Sequence, residues 1–366
     1  MQIQKLLKAA LVLLILIAIV VILVYAKPFL VPLTFAALLA MLLVPVARWL
    51  EGKGAHKAVA ALAAVLLLVG FFAGVFWLLG WQVSDLAGDA GQLKEQAGAK
   101  YQQLRTFISE KMGIPPEKQQ QMLKEQQASS AGKTSGFISG FLAGLGGLLT
   151  NTILVLVYLF LFLFFRGHLK QFILRLVPAD QRTTALDIVH NSQQVAQKYL
   201  GGLSAMIGLL WVLYGIGFSI AGVKSAVFFA ILCGLLEIVP FVGNITGTAL
   251  TLAMSLVQGG GTNLVVGILV TYGLVQFLQT YILEPLIVGA EVNLNPLFTI
   301  LALVAGELLW GIPGMILAIP LAGIVKIVCD RVPPLQPFGF LLGAEKKKED
   351  KGLKKKIKDW WKKVKG

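Results

Sequence analysis

Charge is what this chain of 366 residues has least of: 14% of its residues are Asp, Glu, Lys or Arg, while 57% are hydrophobic. A soluble domain carries roughly 25% charge, so a soluble globular fold is excluded and a polytopic membrane protein is indicated. There are only two cysteines, Cys233 and Cys329, both in apolar runs and without CxxC spacing. That excludes a disulfide framework and a zinc ribbon. The three histidines, His56, His168 and His190, are scattered and form no HExxH pattern. Neither a GxSxG elbow nor a Walker-A loop occurs, so nothing points to a hydrolase or an ATP-driven machine. No catalytic residue, metal or cofactor is implied.

What the chain does have is apolar stretches interrupted by proline and glycine. The breaks are Leu235-Leu236-Glu237-Ile238-Val239-Pro240-Phe241-Val242-Gly243-Asn244, then Glu284-Pro285-Leu286-Ile287-Val288-Gly289, then Gly311-Ile312-Pro313-Gly314. Proline removes a backbone donor, and an unpaired backbone group in hydrocarbon costs several kcal/mol. Irregular backbone at that depth survives where protein buries it or where it lines a watery cavity. Discontinuous helices near the midplane are the sequence pointer to a solute path.

Six uninterrupted spans are expected: about 6–25, 28–46, 58–81, 137–165, 201–221 and 262–283. The first is too long for a signal-peptide core and no A-x-A site follows it, so it reads as an uncleaved anchor. Between Val83 and Lys133 the chain turns polar, with seven basic and six acidic residues. Val83, Leu86, Ala90, Leu93, Ala97, Tyr101, Leu104, Ile108 and Met112 recur at steps of three and four, which predicts a long amphipathic helix continuing the third span. Its stripe needs a partner, either the neighbouring copies of an oligomer or the segment folded back on itself.

The N-terminus, the loop with Arg48, Lys53 and Lys57, the stretch from Arg166 to Lys198 and the C-terminal tail are basic, which places all four in the cytoplasm. The broken runs 225–258 and 296–328 are 34 and 33 residues long, against the ~20 that a crossing helix needs. Parity allows each to be a hairpin that enters and returns, or a tightly paired set of two crossings. The tail from Glu345 holds eleven lysines against four acids, half of the chain's net +14. Leu353, Ile357, Trp360, Trp361 and Val364 fall at helical spacing among those lysines. An amphipathic helix on anionic lipid and a solvated tail are the two readings; nucleic-acid binding is the weaker one.

Tyr272, Gln276, Thr280 and Glu284 are spaced by four and stack on one face of the 262–283 span, with Gln279 beside them. After the first break, Asn244, Thr248, Thr251 and Ser255 share another face, and Asn244 is a candidate N-cap of the half-helix that follows. Singly, such residues in membrane helices mostly hydrogen-bond a neighbouring helix. Two such faces beside a break point instead to a pathway for a polyhydroxylated solute or a cation. Glu237, Glu284 and Glu307 weigh more, because intramembrane carboxyls are costly and functional by default. They are either protonation sites or caps on freed backbone groups; Glu284 sits near the inner surface, where a carboxylate is unremarkable.

Leu236-Glu237-Ile238-Val239-Pro240-Phe241-Val242-Gly243 resembles an I-P-x-x-G motif. Glu284-Pro285-Leu286-Ile287-Val288-Gly289 with Asn295-Pro296-Leu297, and Gly311-Ile312-Pro313-Gly314 running to Ala318 and Pro320, are similar to the other signatures of the same family. These motifs in this order resemble the AI-2E family of bacterial transporters, also called the PerM or UPF0118 family, over about residues 1–335. The tail after Phe340 and Glu307 have no counterpart in that pattern. The resemblance implies a multi-pass protein of the bacterial inner membrane with both termini cytoplasmic, and a homo-oligomer, with pentamers expected. It further implies secondary transport, either export of a small polar solute such as autoinducer-2 or Na+(Li+)/H+ antiport. A passive channel and a membrane scaffold that transports nothing are the other classes.

The expected fold is an all-α polytopic membrane protein: about six full transmembrane helices, two Pro/Gly-broken helical hairpins and a long extramembrane amphipathic helix. The expected divisions are N-terminal transmembrane helices (1–82), an extracytoplasmic helical arm (83–136), a transmembrane and cytoplasmic amphipathic helix (137–198), a transport module (199–330) and a basic tail (331–366). In that module two hairpins are expected to approach each other beside the 262–283 helix. The candidate pathway residues are Glu237, Pro240, Gly243, Asn244, Thr248, Tyr272, Gln276, Gln279, Thr280, Glu284, Glu307, Pro313 and Gly314.

Overall fold

The computed structural model describes residues 2–88, Thr106, Ser109, 151–239, 242–288 and 293–344. The helical arm beyond residue 88, the start of the expected fourth span, Pro240 and the basic tail therefore lie outside the described residues. The described chain is nearly all helical. It comprises α1 (Gln2–Tyr25), α2 (Lys27–Gly52), α3 (Lys57–Gly88) and α4 (Asn151–Leu176). Then come α5 (Arg182–Ala221), α6 (Ala226–Leu236), α7 (Val242–Val257) and α8 (Thr262–Leu278). α9 (Pro296–Trp310), α10 (Ile312–Arg331) and the short α11 (Gln336–Leu342) complete the order. Seven helices among the described residues are long and apolar enough to cross a membrane: α1 to α5, α8 and α10. The chain is an all-α multi-pass membrane protein.

The third span runs on past Trp81 to Gly88, as the amphipathic continuation requires. The stretch 166–198 is divided differently from expectation. Its first part extends α4 to Leu176, and its second part is the start of α5, a single helix of 40 residues. Gly201-Gly202 lies within α5 without breaking it, and Gly202 leaves room for the chain around Ile287: a Cβ there would lie 2.7 Å from the Ile287 carbonyl oxygen.

α5 carries most of the packing. Leu210, Tyr214 and Phe218 on α5, Phe229, Ala230 and Cys233 on α6, and Ile268 and Val275 on α8 form one buried core. A second core joins Ala36, Leu43 and Ala47 of α2 to Ala61 and Ala64 of α3 and Leu159 and Leu163 of α4. A third joins Leu38 of α2, Ala196 of α5 and Trp310 and Leu317 of α9 and α10. Small residues set the α5–α8 seam: Gly217 faces Thr271 and Gly267 faces Ala221, in antiparallel register with the Gly202–Ile287 contact. Without a hydrophobic drive between helices in lipid, close backbone approach of this kind supplies the association.

Both broken runs are helical hairpins. In the first, α6 and α7 reverse at Glu237–Val239 and pack where Gly243 meets the Leu236 carbonyl and Gly247 meets Cys233. In the second, Gly311 turns the chain at φ +69°, a conformation side-chain-bearing residues avoid, and Gly306 and Gly314 bring α9 and α10 into backbone contact. Asn295 caps α9 by accepting from Leu297 N at 3.0 Å, with Pro296 at the first helical position.

Each hairpin has unequal limbs, with α7 (16 residues) and α9 (15 residues) nearly equal and the other two far apart. α6 has 11 residues, about 16 Å at the α-helical rise and half of a ~30 Å hydrocarbon core. α10 has 20 residues, about the whole of that thickness. The second hairpin's tip packs against the α1–α2 turn: Trp310 Nε1 donates to the Leu23 carbonyl at 2.9 Å, and Gly311 faces Lys27 Nζ. The two hairpins do not pack on one another among the described residues, contrary to the expected module. The first leans on the C-terminal half of α5, the second on α2 and the N-terminal half of α5.

Candidate functional site

The first hairpin's tip meets α8 through polar side chains. Glu237, at the end of α6, is 8% exposed, and Gln279 on the facing helix is 2% exposed. Gln279 Nε2 donates to Glu237 Oε1 at 2.8 Å. One turn earlier on the same helix, Gln276 Oε1 accepts from Asn244 Nδ2 at 2.8 Å. These two amide contacts tie both sides of the break to one face of α8. A buried carboxyl held by a single neutral amide is a costly arrangement, since no cation among the described residues pairs with it.

The geometry of α8 changes at this point. From Gln279 to Val288 the chain is π-helical. Pro285 supplies the reason: it has no N–H, so the regular bond to the Tyr281 carbonyl cannot form. The wider turn revises the expected face. Thr280 is exposed rather than stacked under Gln276, and Gln279 takes the interior place. Glu284, five residues on from Gln279, is exposed. π-turns inside helices occur frequently at functional sites.

Asn244 is not the expected N-cap. α7 already starts at Val242, and Gly243 N donates to the Val239 carbonyl at 3.0 Å. With the helix begun before it, the Asn244 amide is free to reach Gln276. Gly243 is buried; a Cβ there would collide with the Leu236 carbonyl, so the tip closes only around glycine. Thr248, Thr251 and Ser255 follow on the buried face of α7. Thr251 Oγ1 donates to its own helix at the Gly247 carbonyl (2.8 Å) and lies 3.6 Å from Cys233 Sγ, an ordinary structural role.

Buried polar atoms without a hydrogen-bond partner among the described residues include Glu237 Oε2 and Gln279 Oε1 at this contact, Thr248 Oγ1 and, towards the far end of α7, Ser255 Oγ, with Tyr214 OH and Trp211 Nε1 on α5. In most proteins such atoms are few and each calls for an explanation. Tyr214 and Trp211 belong to α5 and were not legible as site residues. Tyr214 has Cys233, Glu237 and Tyr272 as electrostatic neighbours, and Trp211 packs on Gly234. An aromatic with a polar handle inside an apolar span was the available signal. Tyr272 is half-buried on α8.

The second hairpin contributes nothing to this cluster. Glu307 is exposed on α9, Pro313 lies in the first turn of α10, and Gly314 is buried against the Gly306 carbonyl. These residues serve the hairpin's own closure and its seat on α1 and α2.

Comparison with known proteins bears on what this arrangement is for. Residues 12–333 match the family model described as AI-2E family transporter. The transport protein YrrI of Bacillus subtilis is 25% identical over 315 residues, covering 82% of this chain and 86% of that protein. The transport protein MT0215 of Mycobacterium tuberculosis is 27% identical over 309 residues, 79% of each chain. The permease PerM of Escherichia coli is 27% identical over 195 residues, 52% of this chain and 55% of its own.

Proposed function

The chain belongs to the AI-2E transporter family and is a membrane transporter; from that premise we propose that it is a secondary transporter of the bacterial inner membrane that exports a small polar solute, such as autoinducer-2, coupled to an ion. The single observation that carries this reading is the Glu237–Gln279 pair at the tip of the short hairpin. A carboxyl buried at that point, with further unpartnered oxygens around it, offers both a chargeable group and a set of acceptors. α6 spans only half of a bilayer core, so the first hairpin is re-entrant and sets Glu237 near the midplane. The second hairpin pairs α10, which is long enough to cross, with the 15-residue α9, which is not, and belongs to the scaffold. Both termini are cytoplasmic, since the basic loops on the Arg166 and Arg331 end demand it.

Alternating access follows from the seams. The first hairpin and α8 move against α5 along the Gly217–Thr271 and Gly267–Ala221 contacts, while α2, α3, α4 and the second hairpin stay fixed. The protein works as a homo-oligomer, with the 83–133 arm as the assembly element.

A second reading, Na+(Li+)/H+ antiport, is favoured by the same oxygens. Glu237 Oε2, Gln279 Oε1 and Thr248 Oγ1 are the hard donors a monovalent cation takes in place of water. Counter-flow in proteoliposomes, with autoinducer-2, sodium and lithium tested in parallel under an imposed pH gradient, separates the two. Saturable autoinducer-2 exchange supports export; cation exchange alone supports antiport; unsaturable leak of every solute overturns both.

A further inference from the structure

A cavity of about 250 Å³ lies at the elbow between α4 and α5, lined by Gln171, Leu174, Arg175 and Arg182. Gln171, Leu174 and Arg175 share one face of the last turns of α4, and Arg182 opens α5 after the short turn Ala179–Gln181. Neither guanidinium has an ion-pair partner among the described residues, although Asp180 lies between them in sequence and Asp187 is taken by Arg331. Three other basic residues at this end are engaged, Arg166 with Glu51, Lys53 over the Trp49 ring and Lys326 with Asp330, whereas Arg48, Lys57 and Lys170 have no ion-pair partner among the described residues and line no cavity with the two arginines.

The elbow closes α4, whose apolar length runs to Leu176. Phe172 and Leu176, on the same end of α4, are 56% and 67% exposed, as side chains facing acyl chains would be. Two unpaired arginines beside exposed apolar side chains match a ligand with an anionic head and apolar tails. The guanidinium fork binds phosphate in a bidentate manner, and basic pockets between membrane helices on the cytoplasmic side take lipid headgroups. We propose that the α4–α5 elbow is a binding site for the phosphodiester headgroup of an anionic phospholipid, with Arg175 and Arg182 as the two prongs and Gln171 as a further donor. The site is separate from the lysine-rich tail and from the Glu237 cluster. Bound lipid there would brace the start of α5, the helix on which the short hairpin packs.

The test is thermal unfolding of the purified full-length chain in detergent, with phosphatidylglycerol, phosphatidylcholine or inorganic phosphate added. Wild type is compared with Arg175→Gln/Arg182→Gln and with Arg48→Gln/Lys57→Gln, which removes equal charge from another basic loop. Phosphatidylglycerol should raise Tm in wild type and in the Arg48/Lys57 variant, and at least half of that rise should be lost in the Arg175/Arg182 variant. The other two additives should give no rise. Equal stabilisation of all three proteins would overturn the site, and a rise with inorganic phosphate alone would replace the lipid by a free anion. Should the double variant not fold, native mass spectrometry of Arg175→Gln and Arg182→Gln singly reads the same loss as fewer phosphatidylglycerol molecules retained. Retention equal to wild type in both would overturn it equally.

Discussion

Glu237 and Gln279 meet because each is costly alone. A carboxyl inside an apolar run needs a donor, and an amide on the facing helix supplies one at 2.8 Å. Replacing Gln279 by Leu leaves Glu237 without that donor and should lower stability by about 1–3 kcal/mol, read as a drop in Tm of the detergent-solubilised protein. Glu237→Gln keeps a hydrogen-bonding side chain of the same shape but removes the charge. Its Tm should stay near wild type, while ion-coupled flux in proteoliposomes falls roughly tenfold or more, about 1.4 kcal/mol of barrier. Both residues were legible in the sequence, because polar groups in hydrocarbon stand out by cost. Tyr214 and Trp211 were not: aromatics are common in membrane spans, and only the packing of α5 on α6 turns their polar atoms inward. Asn244 stood out as a polar residue beside the break, but its contact with Gln276 did not, since the cap reading assumed that the helix began there.

At the scale of elements, proline and glycine gave away both hairpins and the irregularity at Glu284–Pro285. The α4–α5 division was obscured because a basic amphipathic stretch reads alike as a surface helix or as the end of a span. The π-turn was hidden too, since a missing donor at Pro285 does not say whether the helix kinks, ends or widens. Gly243→Val forces a side chain onto the Leu236 carbonyl. Membrane insertion should persist while flux is abolished, measured on equal amounts of reconstituted protein. Gly314→Val meets the Gly306 carbonyl instead. Because that hairpin sits on α1 and α2, its main effect should be lost stability of about 1–3 kcal/mol, seen as a lower Tm. Pro285→Ala restores the backbone donor and lets α8 continue as a regular helix. The turn that sets Gln279 against Glu237 then tightens, and flux should fall without loss of insertion.

For the whole molecule, α5 is the shared beam. Its N-terminal half is bound to α2 and the second hairpin, and its C-terminal half to the short hairpin and α8. The sequence suggested a module in which both hairpins converge; apolar patterning says which residues are buried but not against which helix. Among the described residues one hairpin therefore borders the polar cluster, and the proposed movement is confined to the α5–α8 side. The central claim is that water and solute reach the tip of that hairpin. It is tested most directly by placing Asn244→Cys in a chain whose Cys233 and Cys329 are alanine, and treating reconstituted protein with a membrane-impermeant thiol reagent. Labelling at Asn244→Cys, absent from a cysteine at the lipid-exposed Leu274, is the expected result. No labelling from either side of the membrane, in protein that is otherwise folded and inserted, would contradict it.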